Sequence, residues 1–407
     1  MQERLLAALA IVFLGLSLTT PYVLGAVGAY LQIICAFLML GIVALQRDGL
    51  ALKGDPAFKL LLLAFALLAL AFTVTARQPG DAALSVNFAM LLLFGPMSRY
   101  LARFAAPANL RRVASLALAG SVIAFGVALY QVFVLQSSRA DGWGTDPIWS
   151  AQAALVLGFL AGLGAGFGTS KWRMLYLLGP VLGICVCLLS GSRGTLLAIP
   201  VLLVVVLMFS TRWWWLILGG AVVIVAAVWL GLGALWPAGF VRINTTATLL
   251  QDIITGHTIA EVSGGTRQAF YHASYGAFLH SPWIGYGWAA KMQAIVPYLA
   301  GDGAGLVAPH LHLHSDLLDF GVSGGLVGLI AYGLILVAPI VAALRGPRDG
   351  QFRLRLAGTA ILAAGYLVCG LTYLMFGYEF HSTLYVCLAA ILIGYCRDKP
   401  PATADRP

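Results

Sequence analysis

Long apolar runs, separated by short polar, glycine- or proline-bearing breaks, dominate this chain. A helix crossing the hydrocarbon core of a bilayer needs about 20 predominantly apolar residues. The pattern predicts twelve such helices, over 5–24, 26–45, 57–75, 83–102, 113–135, 148–168, 172–190, 194–210, 213–236, 318–344, 356–376 and 382–396. One connection stands apart from the rest. About 80 residues, 237–317, separate the ninth span from the tenth, and loops of that length are usually functional or disordered. This loop has aromatic residues, few charge runs and at least two helical stretches, which predicts order. The stretch "INTTATLLQDIITGH" reads as a short helix, and "SGGTRQAFYHASYGAFLHSPWIGYGW" as a capped helix ended by Pro282 and followed by a glycine-rich turn. The chain thus divides into nine spans (1–236), a large loop (237–317), three more spans (318–396) and a short polar tail (397–407).

Composition sharpens this to an all-α integral membrane protein. Of 407 residues, 61% are hydrophobic and 10% charged, whereas a soluble domain carries about 25% charged residues. Too little polar surface is present to cover the chain in water. Arg4 ahead of an apolar run that ends in small residues has the look of a signal peptide. The run is long enough to span, however, and an even span count needs it retained. With the N-terminus in the cytoplasm, eighteen of the 24 Lys and Arg residues fall on the inner side, as the positive-inside rule requires. Arg77, Arg139, Arg193, Arg242, Arg267 and Lys291 remain outside, and the C-terminus lies inside. The formal charge of +9 therefore reflects topology, and nothing in the pattern points to nucleic acid.

The same topology puts all seven histidines outside: His257, His272, His280, His310, His312, His314 and His381. That asymmetry points to chemistry on the outer face. "HLHLH", residues 310–314, brings three imidazoles to one face if extended, or His310 and His314 if helical. Zinc binding is disfavoured, because the segment has no cysteine ligand, no Glu within it and no open two-His-plus-carboxylate spacing. A histidine that titrates near pH 6.5 suits a general base or an acceptor-positioning group, and His314 is the candidate. Asp316 and Asp319 read as caps of the tenth span, or as partners that orient an imidazole. The six cysteines fall inside or at the ends of spans and read as small core residues.

Two external arginines share a local setting. Arg193, in "LSGSRGTLLAIP", and Arg267, in "SGGTRQAFY", each follow a serine-glycine pair at an expected helix start. A cation in a first helical turn opposes the macrodipole, whereas an anion there would be held by backbone N–H groups and guanidinium together. The pair is therefore a candidate diphosphate clamp. Lys291 reads either as a third member or as an interfacial anchor. Tyr271 and the other loop aromatics suit stacking on sugar faces or seating a helix on the membrane surface.

"HSDLLDFGVSGGLVG" has His314 and Ser315, then nine residues, then Gly325, two residues and Gly328. This pattern, with the many spans, the large loop and the loop arginine upstream, resembles the O-antigen ligase family of bacterial inner-membrane proteins. That family is related to O-antigen polymerases and to protein O-oligosaccharyltransferases. The resemblance implies a metal-independent, inverting glycosyltransferase of GT-C-type fold, without cofactor, working at the periplasmic face in lipopolysaccharide biosynthesis. Its donor would be an O-antigen glycan on undecaprenyl diphosphate and its acceptor the lipid A–core oligosaccharide. By the same resemblance, Arg193 and Arg267 match the family's essential arginines and His314 its essential histidine. Lys291, His312 and Tyr271 stand as secondary site residues, and Ser315, Gly325 and Gly328 as structural members of the motif. Gly325 and Gly328 most simply allow close helix packing.

Three other readings remain. A polymerase would join two lipid-linked glycans, and the histidine motif argues against it. A protein-glycosylating relative would be expected to carry a larger C-terminal periplasmic region. A transporter of lipid-linked glycans would place ionisable groups near the bilayer midplane and show repeated halves.

Overall fold

The computed structural model describes residues 2–45, 55–143, 146–166, 171–209, 262–301 and 303–398. The expected ninth span (213–236), the helix expected at "INTTATLLQDIITGH", Arg242, His257 and most of the polar tail lie outside the described residues. Among those described there is no strand. The long helices are α1 (Gln2–Leu18), α2 (Pro21–Ala44), α3 (Pro56–Val74), α4 (Pro79–Ala102, with a 3-10 turn inside), α5 (Asn109–Val134), α6 (Pro147–Gly166), α7 (Lys171–Ser190), α8 (Arg193–Phe209), α9 (Val262–His280), α10 (Asp316–Arg345), α11 (Phe352–Thr372) and α12 (Glu379–Tyr395). Eight of these, α2 to α7, α10 and α11, are long and apolar enough to cross a membrane, and α8 and α12 are shorter apolar helices. Among the described residues the protein is all-helical, with the spans of a multi-pass membrane protein.

Local sequence sets many of the boundaries. Proline occupies the first helical turn of α2, α3, α4 and α6, where its missing N–H costs no hydrogen bond. Asp55 caps α3 by accepting from the Ala57 and Phe58 amides at 2.8 and 3.1 Å, and Asp146 caps α6 through Ile148 at 2.7 Å. Pro21 also explains why the first helix stops at Leu18 and not near residue 24. The chain turns at Thr19–Thr20 and restarts as α2.

Small residues let the helices approach closely, as expected where apolar attraction between helices is weak. A Cβ on Gly158 of α6 would sit 2.5 Å from the Gly179 carbonyl oxygen of α7. The interhelical turns gather at two ends. At one end lie the α3–α4, α5–α6, α7–α8 and α11–α12 turns and the segment joining α9 to α10. At the other, Asn109 donates to the Tyr395 carbonyl at 2.9 Å and Gln351 to the Ala106 carbonyl at 3.0 Å. Arg355, buried, pairs there with Asp349 at 3.0 Å. Arg99, Arg103, Arg111, Arg112, Arg345, Arg348 and Arg353 crowd this second end, while Arg77, Arg139, Arg193, Arg267 and Lys291 belong to the first.

α10 contains a break that shapes the site. Its 30 residues are broken at Gly325, whose φ of 57° and ψ of −146° are non-helical and open only to glycine. The twenty residues after the break, 326–345, give about 30 Å of helix, enough for the hydrocarbon core. Into the break docks the segment 282–287. The Tyr286 and Gly287 amides donate to the carbonyls of Val322 and Ser323 at 2.9 and 2.8 Å, and those of Leu326 and Val327 donate to Pro282 and Trp283 at 2.7 and 3.1 Å. The glycines of the 314–328 motif thus do more than allow helix packing. Gly325 breaks the helix, and a Cβ on Gly328 would meet the Phe320 carbonyl at 2.3 Å across the bend.

Candidate active site

At the first end, a cavity of about 150 Å³ is lined by Arg139, Ile148, Gly191, Ser192, Arg193, Gly194, Arg267 and Thr372. Three guanidinium-bearing side chains from three distant stretches of sequence converge on it. The turn between α7 and α8 forms its floor. α7 ends at Gly191 in the left-handed conformation (φ 64°, ψ 26°), and Ser192 leads directly into α8 at Arg193. Arg139 reaches in from the α5–α6 turn. Its Nε donates to the Ser190 carbonyl at 2.7 Å, and Ser190 Oγ donates to Ser192 Oγ at 2.8 Å. The volume corresponds to roughly five waters of bulk liquid, the scale of a small polyatomic anion and far below that of a sugar chain.

Arg193 and Arg267, singled out in the sequence, therefore share one cavity. The reason given for Arg267 needs correction. α9 begins by Val262, so Ser263 and Gly264 are already helical and Arg267 lies beyond the first turn. The face of α9 delivers this side chain, and the helix terminus does not. Arg139 was counted among the external basic residues but not marked as a site residue. Nothing local distinguishes it, since its place depends on the α5–α6 turn folding over the end of α7.

The three imidazoles gather in the turn before α10, which is neither helix nor strand. His314 lies with its ring centroid 4.5 Å from His312 and 5.0 Å from His310, and its Nε2 is 3.3 Å from His310 Nδ1. Its backbone amide donates to His312 Nδ1 at 3.1 Å. Its φ of 57° is left-handed, an uncommon state for a residue with a Cβ. Burial, reinforced by the charge of Arg267 and by His310, lowers the His314 pKa to about 4. Burial, with His314 and Lys291 next in weight, lowers that of His312 to about 2, and burial lowers His310. All three rings are neutral at neutral pH. His314 Nδ1 is buried without a hydrogen-bond partner, which leaves a nitrogen able to accept a proton or a hydroxyl when Nε2 bears the hydrogen.

Cavity and imidazoles share two walls. α9 presents Arg267 to the cavity and, three residues on, Phe270 to the rings of His310 (5.3 Å) and His314 (6.0 Å, stacked at 22°). The end of α11 presents Thr372 to the cavity and Tyr373 to His312 (4.9 Å) and His314 (5.6 Å). Tyr271 ties these walls together, its hydroxyl donating to the Leu371 carbonyl. His381 stands apart as a core histidine, with Nδ1 3.3 Å from the Tyr366 hydroxyl and Nε2 3.1 Å from the Trp149 carbonyl.

Three further residues take roles other than those expected. Lys291 is no interfacial anchor: it is 2% exposed, 2.8 Å from Asp319, with its ammonium 3.4 Å above the Trp288 ring. Burial pushes its pKa down, and Asp319 opposes this. Asp316 and Asp319 do not cap α10 through their side chains. Asp316 accepts from the Met375 and Phe376 amides at 2.9 and 3.1 Å, and Asp319 from the Leu313 amide at 3.3 Å. Ser315 occupies the N-cap position and uses its hydroxyl to hold the Gly370 carbonyl at 3.2 Å. A larger groove of about 720 Å³ between α1 and α5 reaches toward Arg111 and Arg112 and is remote from the imidazoles.

The molecule is thus a multi-span helical protein with an arginine-lined cavity set against a cluster of three imidazoles. Residues 178–333 are similar to the family described as O-antigen ligase. The matched segment holds Arg193, Arg267 and His314, while Arg139 lies upstream of it. That match supports an O-antigen ligase or polymerase type of function in lipopolysaccharide biosynthesis. No curated protein matches the chain.

Proposed function

We propose that the protein is a glycosyltransferase that moves an O-antigen glycan from undecaprenyl diphosphate to lipid A–core oligosaccharide at the periplasmic face of the bacterial inner membrane. The observation that carries this reading is the convergence of Arg139, Arg193 and Arg267 on one small cavity beside His314. The crowding of basic residues at the opposite end supports the orientation, because that end reads as cytoplasmic.

In this mechanism the arginines hold the diphosphate. The acceptor hydroxyl attacks the anomeric carbon from the face opposite the phosphate oxygen. The new C–O bond forms as the sugar–phosphate bond breaks, inverting the centre and releasing undecaprenyl diphosphate. Negative charge grows on the leaving group, and the guanidiniums meet it without a metal ion. One charge pair at 4 Å contributes about 4 kcal/mol at an effective dielectric near 20, before desolvation is subtracted. The His314 imidazole takes the hydroxyl proton. Its lowered pKa makes it a weak base. An anion beside Arg267 offsets the guanidinium's field, so donor binding raises the imidazole's proton affinity when it is needed. The cavity admits the charged group alone, and the glycan and polyprenyl chain extend from it.

Purified protein in detergent, given defined donor and lipid A–core, tests this reading. Transfer without any membrane gradient, unaffected by EDTA, is the expected result. Donor-to-donor polymerisation without lipid A–core would favour a polymerase, and failure to transfer combined with donor translocation in liposomes would favour a transporter.

A further inference from the structure

A buried ion pair outside the anion cavity bears on the reacting imidazole. Lys291 and Asp319 are 2% and 0% exposed. An ion pair this deep is weak evidence for stability, since desolvation offsets much of the attraction, so its position calls for another account. Asp319 lies one turn into α10 and Lys291 in the short helix Lys291–Ile295. Together they tie the α9–α10 segment to the broken helix. The Asp319 oxygen that meets Lys291 also accepts the Leu313 amide. Two residues later, the Ser315 hydroxyl is fixed to the Gly370 carbonyl. These two anchors bracket His314, whose left-handed backbone lies in a sparsely populated region that persists only where its surroundings over-determine it.

We propose that Lys291 and Asp319 are positioning residues for the transfer reaction: the ammonium orients the carboxylate, the carboxylate holds the Leu313 amide, and the held turn points the His314 ring toward the acceptor. The inference rests on the glycosyl-transfer reading of the site. The cation–π contact of Lys291 with Trp288, itself edge-on to Phe88 at 5.3 Å, fixes the ammonium from the other side. Neither residue reaches the arginine cavity, so donor binding is separable from their effect.

Removing one partner strands a buried charge and threatens folding, so the test uses charge-free pairs. Lys291→Met with Asp319→Asn keeps an oxygen for the Leu313 amide, whereas Lys291→Met with Asp319→Leu removes it. With defined donor and acceptor, the Met/Asn protein, which keeps the amide contact but loses the orienting ammonium, is expected to lose three- to fivefold in kcat. The Met/Leu protein should lose at least tenfold in kcat, with the KM for donor unchanged within twofold. Hydrogen exchange of the 308–320 peptide should be fast in Met/Leu only. Equal kcat in the two variants would overturn the proposal, as would unchanged exchange in Met/Leu. The exchange arm reads the clamp even if wild type transfers nothing, a result that would defeat the functional reading alone.

Discussion

Substituting Gly325 by alanine tests how the break in α10 shapes the site. A Cβ at this position would lie 2.5 Å from the Trp283 carbonyl carbon, 2.6 Å from the Ile284 nitrogen and 2.7 Å from the Trp283 oxygen, all backbone atoms that cannot swing aside. The φ and ψ of 57° and −146° add strain of about 1–3 kcal/mol for any residue but glycine. Relief requires the 282–287 segment to withdraw, which strips the four hydrogen bonds it makes with 322–327, each contributing about 1 kcal/mol net. The cheaper of the two routes still costs roughly 3 kcal/mol once the overlap is included. Gly333, in the same helix with nothing within 4 Å of its Cβ position, is the control, because alanine there should be neutral or stabilising by up to about 1 kcal/mol. Thermal unfolding in detergent, followed by intrinsic fluorescence, should show Gly325→Ala several degrees below wild type and Gly333→Ala at or above it. Equal midpoints for Gly325→Ala and wild type would refute the reasoning.

Two other expectations concern the imidazoles. His314→Ala should lower turnover by about 10²–10⁴-fold, the usual scale of general acid–base catalysis, while donor affinity measured by calorimetry stays within threefold; a parallel loss of both would make His314 a binding residue. The lowered His314 pKa of about 4, against about 6.5 unfolded, means the unfolded chain binds the extra proton first, so stability is complete above pH 6.5 and falls as pH drops toward 4, by about 3 kcal/mol for this group. His314→Gln should flatten that acid limb in urea or thermal titrations, and an unchanged limb would contradict the burial argument.

Much of this architecture was legible because span formation is a local property. Apolar length, proline starts and Asp55 and Asp146 ahead of them mark helices without reference to the rest of the chain. The boundary at Leu18 was misplaced because Thr19 and Thr20 do little to interrupt an apolar window. Arg193, Arg267 and His314 were legible as residue types ill suited to their surroundings, though the dipole argument for Arg267 put it in a first helical turn and the helix already runs from Val262. The convergence itself was not legible. Arg139 and Tyr373 join the site only once α5–α6 and α11–α12 turns are brought over α7 and α9. The carboxylates of Asp316 and Asp319 sit where caps belong, yet their oxygens serve the Met375, Phe376 and Leu313 amides, and sequence spacing carries no trace of these contacts. Gly325 and Gly328 looked like packing glycines because a break filled by a distant backbone segment leaves the same glycine-rich signature.

The central claim is that Arg139, Arg193 and Arg267 together bind a diphosphate. Calorimetric titration of the detergent-solubilised protein with undecaprenyl diphosphate, for wild type and the Arg139→Gln, Arg193→Gln and Arg267→Gln variants, tests it most directly. The account predicts that each variant binds at least tenfold more weakly, a loss of about 1.4 kcal/mol or more, while Arg77→Gln, at the same end but outside the cavity, stays within twofold. Wild-type affinity retained in the three cavity variants would contradict it.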